Sequence, residues 1–186
     1  MKKIIVAVTG ASGAIYAHLL LKKLAEFSDQ YERVDLVFSD PARQVWKYEL
    51  PDEPIEQHQF KNWAPNNFWS PVASGSAGYD TMIVIPCTMG TLGRIASGQA
   101  NDLITRSADV ILKERGRLIL VSRETPLSLI HIKNMETISL AGGVILPAEP
   151  SFYSKPSNIE ELVMTVIERV LKVAGIETGS KGFMPT

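Results

Sequence analysis

The sequence predicts an α/β protein, a three-layer, open, doubly wound and mainly parallel sheet of the Rossmann or flavodoxin-like kind. Three observations carry that expectation. Short β-branched runs alternate with helical patterns, most of the runs are continuously apolar, and most connections between them are short. A strand that is apolar at every residue is covered on both faces, which is the condition of a parallel sheet held between two helical layers. At 186 residues the chain suffices for one domain that buries roughly 70% of its unfolded surface. No repeat, low-complexity segment or linker divides it, so residues 1–186 read as a single domain.

The elements follow in order. A first strand is expected over residues 3–8, where "KIIVAV" is almost wholly apolar, and the small-residue turn "TGASGA" then opens a helix over 13–27. The second strand, 34–38, precedes a helix over 41–49 that ends just before Pro51. The third, 81–86, precedes helices over 89–96 and 102–113. The fourth, 117–121, leads to a helix over 128–141, and the fifth, 143–146, to one over 158–173. That last helix begins with Ser157 and Glu160 at capping-box spacing. Its apolar residues Ile159, Leu162, Val163, Val166, Ile167 and Val170 recur at helical spacing. Residues 50–79 are irregular and rich in proline, asparagine and aromatics, and a stretch that long is usually a functional loop or an interface.

Composition excludes several classes. A net charge of −1 indicates neither a nucleic-acid footprint nor a polybasic membrane patch. No apolar run reaches the ~20 residues of a membrane span, and "MKKIIVAVTGASG" is too short in its apolar part for a signal peptide. With Cys87 the single cysteine, no intrachain disulfide forms and a reducing, cytoplasmic compartment is expected. Cys87 itself reads as a buried small hydrophobe, since no base accompanies it in sequence. His18, His58 and His131 are scattered, and none stands at ligand spacing to Cys87, so no metal is expected.

Ligands of such sheets bind beyond the carboxyl ends of the strands, and there this chain gathers small hydroxyl residues. The turns read Thr9-Gly10-Ala11-Ser12, Ser39-Asp40-Pro41, Thr88-Met89-Gly90-Thr91, Arg123-Glu124 and, further on, Ser151-Phe152-Tyr153. That composition suits a phosphorylated ligand. Yet the first turn is G-x-x-G, with Ser12 where the dinucleotide fingerprint has its second glycine. Ser39, rather than an acid, ends the second strand, and both departures lean towards a mononucleotide. Arg106 and Lys113 share a helix face, with Asp109 placed to pair with Lys113, and Arg169 stands at the edge of an apolar stripe. A solvated face and a snorkelling arginine account for these cations as readily as an anion site does. Glu49 closes a helix whose macrodipole it opposes, which hints at another use.

Taken in register over nearly the whole chain, "VTGASGAIYA", "ASGS", "VIPCTMGTLGRIASG", "LITRSADVILKERGRLILVSRETPLSLIHIKNM" and "GGVILPAEPSFYSKP" resemble the UbiX family of flavin prenyltransferases. The resemblance implies a flavin-binding domain that joins a dimethylallyl unit to N5 and C6 of reduced FMN as phosphate departs. It places the FMN against Gly10, Ala11 and Ser12, Ser39, the turn Thr88, Met89, Gly90 and Thr91, and Arg123. It places dimethylallyl phosphate against Tyr153 and Arg169, with Ser74, Gly75, Arg106 and Lys113 closing the cage. Ser12, Glu49, Glu124 and Lys113 match the residues nearest the chemistry, Ser12 lying beside flavin N5. It also implies a metal-free reaction, a homododecamer whose neighbouring subunits line the prenyl phosphate site, and a UbiD-type decarboxylase that receives the product. The aromatic loop 59–71 would belong to such an interface.

Two positions depart from the family. Asp40 stands where relatives often carry lysine, and the aromatic over the prenyl group is either Phe68 or Trp69. Related cysteine-type flavin decarboxylases share the fold but carry a catalytic histidine and a Pro-x-Met-Asn segment, neither of which is found here. A passive FMN carrier has no need of a second cationic site, and a dinucleotide dehydrogenase is disfavoured by Ser12.

Overall fold

The structure, a computed structural model, describes residues 1–179. In chain order its main elements are β1 (Lys2–Val8), α1 (Ala14–Glu26), β2 (Tyr31–Phe38), α2 (Asp40–Glu49), β3 (Lys61–Trp63) and β4 (Thr81–Cys87). There follow α3 (Met89–Ala96), α4 (Leu103–Lys113), β5 (Arg117–Ser122), α5 (Leu129–Leu140), β6 (Val144–Ile145) and α6 (Ile159–Ala174). The strands form one six-stranded sheet in the order β3-β2-β1-β4-β5-β6, with every neighbouring pair parallel.

Strand patterning decides the layering. Every residue of β4 is buried, so its alternate side chains must serve two cores. Ile4, Val6, Ile83 and Ile85 pack with α1, α2 and α6 on one face. Ile5, Ala7, Met82 and Val84 pack with α3, α4 and α5 on the other. The chain winds outward from β1 to β3, returns, and winds outward from β4 to β6, which leaves the switch point between β1 and β4.

Three details differ from the sequence reading. The sheet has a sixth strand, β3, inside the stretch 50–79 that reads as irregular. It is fixed from outside: Trp63 Nε1 donates to Asp35 Oδ1 at 2.7 Å, and Tyr79 Oη donates to Asp35 Oδ2 at 2.6 Å. Arg33 completes the set around this fully buried carboxylate, so its charge is matched and its oxygens satisfied. Second, α6 is capped by Asn158, whose side chain accepts from Glu161 N at 2.9 Å, while Ser157 donates to the Glu161 carboxylate. The cap is therefore Asn158, one residue later than Ser157, and the reciprocal Ser157–Glu160 box does not form. Third, Asp109 pairs with Arg106 at 2.8 Å, and Lys113 pairs with Glu114 instead. Residues 180–186, the end of the expected single domain, lie outside the described residues.

Candidate functional site

Thr9 ties the two strands at the switch point. Its hydroxyl donates to Pro86 O at 2.7 Å and accepts from Thr88 N at 2.8 Å. Beyond it opens a crevice of roughly 770 Å³, within the ~300–1,000 Å³ of small-molecule clefts. Its walls are the turns after β1, β2, β3 and β4 and the start of α4. β3 thus has a positional role, because Ala64, Pro65 and Asn66 follow it into the wall.

The helix N-termini here are in different states. α1 starts at Gly13, in the left-handed region at φ 109°, with no side-chain cap of its own. Instead Glu49 Oε2 accepts from Gly13 N at 2.9 Å and from Ala14 N at 2.7 Å. Burial works against the charge of Glu49, but the Ser12 hydroxyl, the two amides and Arg123 outweigh it and hold the carboxyl below the usual range. The carboxylate that is misplaced on its own helix is well placed on another. It also takes the amides that seat pyrophosphate in a dinucleotide site, so phosphate binding at this first turn gives way to carboxylate binding.

α3 is open where α1 is closed. Thr88 Oγ1 accepts from Thr91 N at 3.1 Å, and a Cβ added at Gly90 would meet nothing within 4 Å. At the start of α2, Ser39 Oγ accepts from Ala42 N at 3.2 Å, which leaves its proton to donate. Gly10 is needed for packing, since a Cβ there would lie 2.6 Å from Pro41 Cβ.

Of the residues expected to hold FMN, Gly10, Ser39, Thr88, Gly90 and Thr91 line the crevice. The Met89 side chain is buried in the core beneath it, so its contribution is backbone. Ala11 and Ser12 continue the first turn towards Glu49, and Arg123 lies within electrostatic reach of both Glu49 and Tyr16. Glu124 follows Arg123, exposed, and accepts from Thr125 N at 3.1 Å.

The expected phosphate cage is not brought to one place in a single chain. Arg106 Nε donates to Ala73 O at 3.1 Å, and a Cβ at Gly75 would meet Lys113 Nζ at 3.0 Å. Ser74 belongs to the same strip, its hydroxyl 2.9 Å from that of Ser76. This strip runs along α4, and Lys113 lies at the amino end of the sheet, because α4 closes just before β5 begins. Arg169 lies on α6, across the sheet from α4. Ser151 N donates to Thr165 Oγ1 at 3.1 Å, one turn before Arg169, which brings the Tyr153 loop to that side. Phe68 and Trp69 are exposed, Trp69 almost completely.

Sequence reasoning missed Arg94, Arg43 and Asn66, all of which line the crevice. Arg94 was findable, as it stands three residues after Thr91 on one helix face, whereas Asn66 depends on β3. Cys87 is fully buried, with burial pushing its thiol up to about 12. His18 and His58 pack around Trp46 and His131 lies at the start of α5, so none lines the crevice. Among the described residues no group of side chains suits a metal ion, and no helix is long and apolar enough to cross a membrane.

An open parallel sheet whose switch point gathers hydroxyl-capped helix N-termini at α2 and α3, with the α1 N-terminus closed by a carboxylate, defines a mononucleotide-binding α/β protein. The chain matches the Flavoprotein family model over residues 1–171 and belongs to that family. It is 45% identical over 179 residues, 95% of this chain and 92% of the other, to flavin prenyltransferase UbiX of Methanothermobacter thermautotrophicus. Its fold matches AnUbiX (PadA1), solved with FMN and dimethylallyl pyrophosphate, at TM-score 0.91 and 41% identity over 98% of this chain and 99% of that one. A dodecameric FMN-dependent UbiX-like decarboxylase from Escherichia coli O157:H7 matches at TM-score 0.91 and 37% identity, over 98% and 100% of the two chains.

Proposed function

We propose that this chain is a flavin prenyltransferase, joining the dimethylallyl group of dimethylallyl phosphate to N5 and C6 of reduced FMN without a metal. The observation that carries the reading is Glu49 seated on the α1 amides with Ser12 as a further partner. That arrangement closes the pyrophosphate seat of a dinucleotide enzyme. It also sets a fixed hydroxyl and an ionised carboxylate beside a crevice suited to one phosphate. Gly90, Thr91 and Ser39 fit that phosphate, since they offer open space and hydroxyl protons on the crevice wall.

Reduced FMN supplies the two nucleophilic atoms when bound. The chain's own residues hold reactants, protons and charge. Ser12 orients the proton leaving the flavin, with Glu49 fixing the direction of its hydroxyl. Glu49 itself is a weak proton acceptor, because three hydrogen bonds and Arg123 favour its ionised form. The departing phosphate, which titrates near neutrality, is the stronger acceptor. Arg106, Lys113 and Arg169 stabilise the charge that develops on it, and Tyr153 adds a hydroxyl. Either Phe68 or Trp69 covers the allylic group and stabilises its cationic character. Much of the rate then comes from holding two reactants in contact.

The α4 strip and the α6 patch lie on opposite faces of the sheet. A complete cage therefore takes α4 from one subunit and α6 from another, in a homo-oligomer that we read as a dodecamer. The product passes to a UbiD-type decarboxylase in the cytoplasm. A flavin decarboxylase that relies on histidine is the weaker reading, because all three histidines lie away from the crevice. The test is anaerobic incubation with reduced FMN and dimethylallyl phosphate, or the diphosphate in parallel, followed by mass analysis of the extracted flavin. A mass gain of one dimethylallyl unit with either donor is expected. Unmodified FMN recovered from folded, FMN-loaded protein with both donors overturns the reading.

A further inference from the structure

Arg94 reaches the crevice from the second turn of α3 and has no part in the roles above. Its Nη2 donates to Thr91 Oγ1 at 3.2 Å. Thr91 Oγ1 also accepts from Thr88 Oγ1 at 3.0 Å. The two bonds are compatible, because Thr88 Oγ1 accepts from Thr91 N at 3.1 Å through a lone pair and keeps its proton for Thr91 Oγ1. A hydroxyl has two lone pairs and one proton. With both lone pairs of Thr91 occupied, the remaining capacity of its hydroxyl is to donate, and Thr91 lines the crevice.

Arg94 is held in this pose from behind. Its Nη1 pairs with Asp102 and lies 3.3 Å from Asn101 Oδ1. Asp102 is fixed in turn as the N-cap of α4, where Oδ1 accepts from Thr105 N at 2.7 Å. The guanidinium is thereby kept from swinging away, and the Asp102 charge is matched locally rather than presented to a ligand. Asp40, also on the wall, makes the crevice less cationic than a lysine there would, and Arg43 lines it three residues further along α2.

We infer that Arg94 is a positioning residue for phosphate recognition. By filling the second lone pair of Thr91 it turns that hydroxyl into an obligatory donor towards the crevice. The site then selects phosphorylated over unphosphorylated flavin. This inference rests on the reading of the crevice as an FMN site and adds to it the source of its phosphate selectivity.

The test compares FMN and riboflavin affinity, by flavin fluorescence titration, for the full chain and for Arg94→Met, Thr91→Val and the double variant, each checked for fold by circular dichroism. Wild type should prefer FMN. Arg94→Met should lose about tenfold or more in FMN affinity, the worth of one hydrogen bond to a charged group, with riboflavin affinity unchanged. Thr91→Val should show the same selective loss, and the double variant should be no worse than Thr91→Val alone, since the two residues act as one unit.

Equal loss for both flavins, or no loss, overturns the inference by making Arg94 a structural tie between α3 and α4. Additive losses overturn it too, because Arg94 then acts on phosphate by its own charge. Should Arg94→Met fail to fold, Arg94→Lys, which keeps an N–H donor for Thr91, should retain the FMN preference, and its loss has the same force. Absence of FMN binding by wild type overturns the underlying FMN reading instead.

Discussion

Glu49 shows how one residue settles several questions. It is ionised at neutral pH because Ser12, two amides and Arg123 prevail over its burial. Its oddity on its own helix is visible in sequence, but its partner Gly13, 36 residues away, is not, since a local pattern cannot say which helix start a side chain will reach. Replacing it by glutamine keeps the shape and removes the charge. Glu49→Gln should cost about 1.5–3 kcal/mol, the range for hydrogen bonds to a charged group, read as a lower melting temperature at pH 7. Turnover should fall at least tenfold on the order of that same energy, with FMN still bound. The sign with pH follows from the depressed folded pKa. The contribution of Glu49 is present above the ordinary carboxylate pKa and is lost as pH falls through the lower folded value. Wild type should therefore approach the variant's melting temperature in acid, and a constant gap between them would deny Glu49 this role.

At the scale of elements, the junction of α1, α2 and the segment before β3 is built around histidines. His18 and His58 pack edge-on to Trp46 and to each other, with ring centroids 5.5–5.9 Å apart. Burial lowers the pKa of both, and that of His58 falls to about 4, with the nearby His18 adding to the effect and Glu53 opposing it. Both are thus neutral in the fold, while in the unfolded chain they titrate near 6.5. Their stabilising contribution is complete above pH 6.5 and is lost as pH falls towards 4. A loss on the order of 1–2 kcal/mol after solvent screening should appear as a falling melting temperature over that window. His58→Leu should flatten part of the slope, and an unchanged slope would assign it to carboxylates. The same region shows what sequence reading reaches. Long apolar runs and capped helices gave most elements to within a few residues, because their pattern is local. β3 escaped because it is three residues long and is fixed by Trp63 reaching a buried aspartate on β2. The crevice wall at Ala64, Pro65 and Asn66 was hidden with it.

At the scale of the whole molecule, large apolar side chains stand exposed on α5 and beside Tyr153. Leu129, Ile130, Ile132 and Leu140 on α5 are 50–83% exposed, and Phe152, beside Tyr153, is 69% exposed. Such concentrations of large apolar side chains mark association surfaces. Motif matching names Arg106, Lys113, Tyr153 and Arg169 together, yet the sheet stands between α4 and α6. Motif matching can propose the members of a site but not the chain that supplies each. Subunit mixing separates the two cases. Lys113→Ala and Arg169→Ala should each lose most turnover as homo-oligomers. If the two residues come from different subunits, random co-assembly at equal amounts gives each residue an even chance of being intact in any cage. About a quarter of the cages in a symmetric assembly then recover both, and turnover should return to roughly that fraction of wild type. If both residues come from the same chain, every cage in the mixture carries one defect and nothing returns. Co-expression of differently tagged variants, purification of the mixed oligomer and prenylation of reduced FMN measure the difference. Recovery would show that the cage is completed across a subunit boundary.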